Sequence, residues 1–156
     1  MKKVFIIIFI VFIILIGTAL LFYNARKNTA PTAVIDGHTF SLLVAKTNDE
    51  KQTGLSNRTS LDKNTGMLFP FGTASYVTFW MKQMRFPIDI IFIRNGKIVT
   101  IDKNAPPPQD PNSTDLPIYK PTQPADTVLE INAGLSDKDN FNIGDEVKLN
   151  NVDAIK

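Results

Sequence analysis

Apolar and polar positions fall into two regimes along this chain. Val4 to Tyr23 are twenty consecutive residues without a charge, mostly Ile, Phe, Val and Leu. At about 1.5 Å per residue such a run spans a hydrocarbon core of roughly 30 Å, so it predicts a transmembrane helix. Beyond Asn24 the pattern changes to short runs of period two. "TAVID" and "TFSLLVA" flank a turn at Gly37-His38 and read as a hairpin. Thr47 and Glu50 have the spacing of a capping box, which predicts a short helix over about 48–55. "MLFPF" and "YVTFWMK" read as strands, with Pro70 placing the first at an edge or a bulge. "IDIIFIR" and "KIVTID" flank Asn95-Gly96, a strong hairpin signal. "TVLEINA" and "DEVKLN" are the last two strands. Between them, 134–142 reads as a turn-rich connection. From Asn104 to Asp126 lie seven of the ten Pro, so that segment reads as a surface loop or a lid.

Many short strands with turn signals between them predict an all-β domain. The expected form is a mainly antiparallel sandwich or barrel of about eight strands with one short helix, preceded by the transmembrane helix. The expected organisation is an anchor over 1–27, a linker over 28–33 and a β-rich domain over 34–150.

The flanks of the apolar run refine this. Lys2 and Lys3 precede it, and Arg26 and Lys27 follow it, so basic residues alone orient it weakly. A short tail before the helix and a long domain after it favour a single-pass protein of the cell membrane with its domain on the extracytoplasmic side. A cleavage site ending at Ala25 would place bulky Tyr23 where a signal peptide needs a small residue, which favours an uncleaved anchor. There is no Cys, hence no lipid-anchored Cys and no disulfide framework.

The net charge of +2 belongs to the anchor. From Pro31 onward thirteen basic residues face fifteen acidic ones, a net −2, so no nucleic acid partner is expected. No phosphate loop, dinucleotide Gly pattern or zinc spacing is present, and no cofactor or metal is expected.

Candidate chemistry gathers between Gly66 and Ile93, which hold three of the four Met and the only Trp. Strand alternation puts Val77, Phe79 and Met81 on a core face and Thr78, Trp80 and Lys82 on the other. Ile88, Ile90 and Phe92 share a face opposite Asp89, Ile91 and Ile93. Leu129 and Ile131 lie opposite Val128, Glu130 and Asn132. Lys82, Asp89 and Glu130 thus interrupt apolar strands, and buried charges need partners. One reading is a structural ion pair of Lys82 with Asp89 or Glu130, joined by Arg58. The other is a pocket in which Trp80 is a stacking floor and Arg58, Lys82, Asp89 and Glu130 orient polar groups of a ligand.

The stretches "GLSNRTSLDKNTGMLFPF", "FWMKQMRFPIDIIFI", "VLEINAG" and "IGDEV", in that order over Val34 to Leu149, resemble the domain-of-unknown-function 192 family. The matching positions include Gly54, Leu55, Arg58, Gly66, Trp80, Lys82, Asp89, Glu130, Gly134 and Asp145. The chain departs from the family pattern at Ser56, where Met is usual, and at Gln83-Met84, where Asn-Thr is usual. The resemblance implies a compact β domain, often exported or membrane-anchored, and no established activity.

Three functions fit these residues. The first is a non-catalytic binding module for an envelope ligand such as polysaccharide, or another small ligand, with the membrane engaged by residues 4–23. The second is a hydrolase with Asp89 and Glu130 as its acid and base. The third is a Cu(I) site of Met67, Met81 or Met84 with His38.

Overall fold

The uninterrupted apolar run forms α1, Lys2–Asn28, in a computed structural model that describes residues 2–28, 30–110 and 112–152. Phe5–Tyr23 has a mean hydropathy of 3.3 and is exposed along its whole length. It is long and apolar enough to cross a membrane. Thr29 of the linker, Pro111 of the Pro-rich segment and the side chains of the basic flanks (Lys2, Lys3, Arg26 and Lys27) lie outside the described residues. A second compact unit begins at Pro31.

Among the described residues that unit has nine strands. β1 (Thr32–Ile35) and β2 (His38–Val44) form the first hairpin, turning through Asp36 and Gly37 at positive φ. A capped helix, α2 (Asn48–Thr53), leads to the long strand β3 (Thr65–Ser75). After the two-residue β4 (Phe79–Trp80) come β5 (Ile88–Arg94) and β6 (Lys97–Ala105), joined at Asn95-Gly96. The two-residue β7 (Ile118–Tyr119), β8 (Ala125–Asn132), the single turn α3 (Leu135–Lys138) and β9 (Val147–Asn150) complete it. The main sheet has the order β6-β5-β8-β3-β2-β1-β9, and β4 pairs with β7 in a separate ribbon.

The fold is all-β, with local differences from the sequence reading. β2 and β3 pair in parallel, because α2 and the loop after it carry the chain across before β3 begins. The strand expected over 76–82 shrinks to Phe79–Trp80, since the chain turns at Lys82-Gln83. The connection at 134–142 contains α3. Pro70 lies in a strand that is central at its start. Pairing with β2 ends at Leu68, however, so β3 has become an edge by Pro70, and its register with β8 shifts beyond that point.

The main sheet curls until its ends meet. Ile98 N–H donates to Asp145 O (3.0 Å), Gly144 N–H to Ile98 O (2.8 Å) and Val147 N–H to Gly96 O (2.8 Å). Further along the same side of β6, Thr122 from the Pro-rich segment donates its N–H to Thr100 Oγ1 (2.9 Å). Inside the curl, Ile35, Phe40, Leu68, Ile91, Ile93, Leu129, Ile131 and Phe141 form one core. Outside it, Met67, Phe69, Ile88, Ile90, Phe92 and Val128 form a second, covered by Leu55, Leu61, Met81, Met84 and Phe86 from the connecting segments. β5 is therefore buried on both faces, which is why its sequence is apolar at both parities.

At Gly66 the neighbouring strand leaves no room for a side chain. A Cβ there would lie 2.8 Å from Leu129 Cδ1, 3.0 Å from Glu130 O and 3.2 Å from Ile131 Cγ2. Gly66→Ala should overpack this junction and destabilise the domain by about 1–3 kcal/mol, read as a lower urea midpoint with an unchanged slope.

Candidate functional site

The outer core opens into a cleft of about 330 Å³ between α2, β3, β4 and β8. The local sequence fixes its walls. Thr47 caps α2 by accepting the Glu50 N–H (3.1 Å), and Glu50 Oε2 accepts the N–H groups of Thr47 (2.8 Å) and Lys46 (2.7 Å). Those amides, Thr47 first, hold the Glu50 carboxyl below its ordinary pKa. α2 ends at Gly54, whose positive φ turns the chain into the cleft edge and whose missing Cβ leaves room for the Phe69 ring. Ser56 Oγ donates to Lys82 O (2.8 Å), and Asn57 N–H donates to Gln83 O (3.2 Å). These bonds fasten the turn after β4 to the turn after α2 and place Trp80 at the rim, 52% exposed. Across the ribbon Trp80 faces Ile118. Phe79 packs edge-on against Phe69, Phe71 and Phe92, at centroid distances of 5.1, 6.3 and 5.9 Å.

Glu130 forms the floor. Its register partners are Met67 in β3 and Ile90 in β5, so it projects to the outer face, where it is only 5% exposed. Its Oε2 has no hydrogen-bond partner among the described residues. Burial pushes the carboxyl up to about 8, so at neutral pH it is held mostly as the acid. Asp102 of β6 pairs with Ile90 from the other side and has a second buried, unpartnered oxygen, Oδ2. Burial raises its pKa, and burial together with the Asp102 charge raises that of Tyr119 on β7.

Asp89 has a different role. Its register partner is Ile131, so it faces the opposite side of the sheet from Glu130. It is fully buried, and its oxygens accept three backbone N–H groups: Asn104 (2.8 Å), Gly134 (3.1 Å) and Ser136 (2.9 Å). Gly134 is the N-cap of α3 and has no side chain to cap it, so a carboxylate from a distant strand does so. This corrects two expectations. Asp89 and Glu130 do not face a common space, so they do not form an acid–base pair. Asp89 is also neutralised by amide dipoles rather than by Lys82, which is exposed and makes no side-chain ion pair or hydrogen bond among the described residues.

Of the five candidate residues, the cleft brings together Trp80 and Glu130. Arg58 lines a separate depression with Glu50 and Met67 on the far side of Thr53-Gly54. Lys82 shares the exposed side of its segment with Trp80, as alternation predicts, but it does not line the cleft. Met67, Met81 and Met84 are buried in the outer core, whereas His38 packs on Phe141 of the inner one and lies 3.4 Å from Asp139. The copper grouping is therefore not assembled. Lys51 and Phe71 line the cleft without having been singled out. The parity of Phe69 and Phe71 on β3 was a usable signal, but which strand lay beside β3 was not.

The DUF192 family profile, described as Uncharacterized ACR, matches residues 31–149. This chain belongs to that family. The DUF192 domain is also similar to two solved structures. One is a protein of unknown function from Novosphingobium aromaticivorans, 32% identical, with a TM-score of 0.68 over 75% of this chain and 83% of that one. The other, from Sinorhizobium meliloti, is described as a proposed transcription regulator; it is 31% identical, with a TM-score of 0.67 over 77% of this chain and 94% of that one. No curated protein matches. The departure from the family pattern at Gln83-Met84 now has a physical setting. Gln83 occupies a left-handed turn position, φ 57°, that Asn adopts with less strain. Met84 turns inward to line the cleft beside Glu130.

Proposed function

We propose that this DUF192 domain is a non-catalytic binding module for an envelope ligand such as polysaccharide, held by α1 at the extracytoplasmic face of the cell membrane. The observation that carries the reading is Glu130: a buried carboxyl without a partner, at the floor of an aromatic-walled cleft. Leaving such a group unsatisfied costs folding free energy, which a bound ligand offsets. The volume suits one sugar ring, and Trp80 offers a ring face at the rim for stacking. The long apolar helix and the long domain after it support the anchored arrangement.

Trp80 is the only Trp in the chain, so emission excited selectively from Trp, without the three Tyr, reports on this cleft. Titration of the full-length protein in non-ionic detergent with envelope oligosaccharides should shift or quench that emission saturably. Trp80→Ala, read by calorimetry, should weaken binding about tenfold, at the upper end of the roughly 0.5–1.5 kcal/mol of an aromatic contact. Protease added to spheroplasts should remove the domain. Unchanged emission would reject the cleft as the site, and a protected domain would reject the orientation.

A further inference from the structure

We infer that the group this cleft takes is a protonated amine, carried by an amino sugar or another primary amine, with Glu130 as its carboxylate partner and the rings of Trp80 and Phe79 as its walls. This rests on the binding-module reading and names the ligand chemistry.

The first argument is the distribution of polar groups. Among the buried residues lining the cleft, Leu55, Phe69 and Met84 are apolar and only Glu130 is polar. Asn48, Gln52, Thr53 and Thr78 are exposed at the mouth, and Lys51 and Ser56 are half-buried. A neutral sugar buried here would bring several hydroxyls to one partner and leave the rest unsatisfied. A single cationic head leading an apolar or hydroxylated body matches one deep carboxyl beneath aromatic walls.

The second argument is electrostatic. Aromatic faces attract cations. Phe71 already holds one, with Lys51 Nζ 4.9 Å from its centroid. Among the described residues no cation forms an ion pair with Glu130. α2 offers Lys51, which makes no ion pair with it. β6 offers Asp102 two strands away on the same face, and β7 offers Tyr119. β3, β4 and β5 present Met67, Phe69, Phe79 and Ile90. The site thus has a place for one positive charge and does not supply it.

The proton balance follows. In the empty cleft burial holds Glu130 as the acid, with its pKa near 8. An entering ammonium keeps its own protons, and the Glu130 carboxyl loses its proton to solvent as the ion pair forms. One proton is released per amine bound at neutral pH. For hexylamine, which stays protonated across this range, affinity should rise close to tenfold per pH unit below about 8 and then level off; an amino sugar, whose ammonium is more acidic, should pass through a maximum instead.

The test uses full-length protein in non-ionic detergent, read by Trp80 emission and by calorimetry in buffers of different ionisation enthalpy. The probes are glucosamine oligomers, their N-acetylated counterparts and hexylamine. Tenfold or greater preference for the free amine over the acetylated form, proton release with hexylamine, and loss of both in Glu130→Gln support the inference. Equal or tighter binding of the acetylated oligomers, weakening as pH rises, overturns it and leaves the binding module standing with Glu130 as a hydrogen-bond donor. Binding of hexylamine with proton release, but of neither oligomer, supports the amine and overturns the polysaccharide. No response to any probe overturns both. Should Glu130→Gln melt abnormally, Trp80→Leu at the exposed rim replaces it. By calorimetry that variant should lose several-fold in amine affinity, and unchanged affinity would overturn the role of the rings.

Discussion

Asp89→Ala is expected to unfold the domain or leave it barely stable. The substitution removes both oxygens that accept these three hydrogen bonds and leaves the N–H groups of Asn104, Gly134 and Ser136 without their partner, that of Ser136 in a fully buried place. Each unsatisfied buried donor costs about 1–3 kcal/mol, so the total is of the order of a typical domain's entire stability. Asp89→Asn should be milder, about 2–3 kcal/mol, because one oxygen survives while the new amide faces a backbone donor. Lys82→Met should be within about 0.5 kcal/mol of wild type, since Lys82 is exposed and unpaired. Denaturant melts of the three variants and of the Lys82–Asp89 double variant check this. Strong coupling between the two positions would show an ion pair where the structure has amide caps.

Glu130→Gln is expected to act in the opposite direction and to depend on pH. The folded carboxyl titrates near 8, raised from an ordinary value of 4.5. The native state therefore binds the proton more tightly than the unfolded chain does. This contribution is fully present below about pH 4.5 and is lost as pH rises through 8. A difference of that size corresponds to about 5 kcal/mol between the two limits. Gln fills the same space and never ionises, so the variant should track wild type near pH 4.5 and exceed it by several kcal/mol at pH 9. Asp102 and Tyr119 contribute their own pH dependence to both proteins, so the difference between the curves isolates Glu130. Parallel curves would mean that water or a neighbouring group solvates the acid.

Features set by near neighbours in the chain were legible in the sequence. The first hairpin, whose turn is Asp36-Gly37 rather than the expected Gly37-His38, the turn at Asn95-Gly96, the Thr47–Glu50 capping box and the long apolar helix rest on residues a few positions apart. So did the alternation that put Ile90 and Phe92 on one face and Ile91 and Ile93 on the other. Strand order was not legible, and the chemistry of the site turns on it. β8 lies between β5 and β3, with Ile90 opposite Glu130; this sends Glu130 outward, while Asp89, one residue from Ile90, faces inward. The partners of Asp89 were hidden for another reason. They are main-chain amides, which every residue but Pro carries, so no side-chain pattern marks them. The full wall of the cleft was hidden because Phe71 and Lys51 meet only after the parallel crossing through α2.

The hold of Thr122 on Thr100 bears on how this protein behaves in a crowd of its own copies. Where the curl no longer closes on itself, the outer side of β6 would offer bare amides and carbonyls to any extended chain, the usual start of intermolecular sheet growth. The segment that supplies Thr122 has Pro121 and Pro124 beside it, and a proline has no N–H with which to recruit another strand. That stretch of cover is thus itself a poor template, and it works alongside the exposed Lys97 and Lys103 of β6 against edge-to-edge pairing.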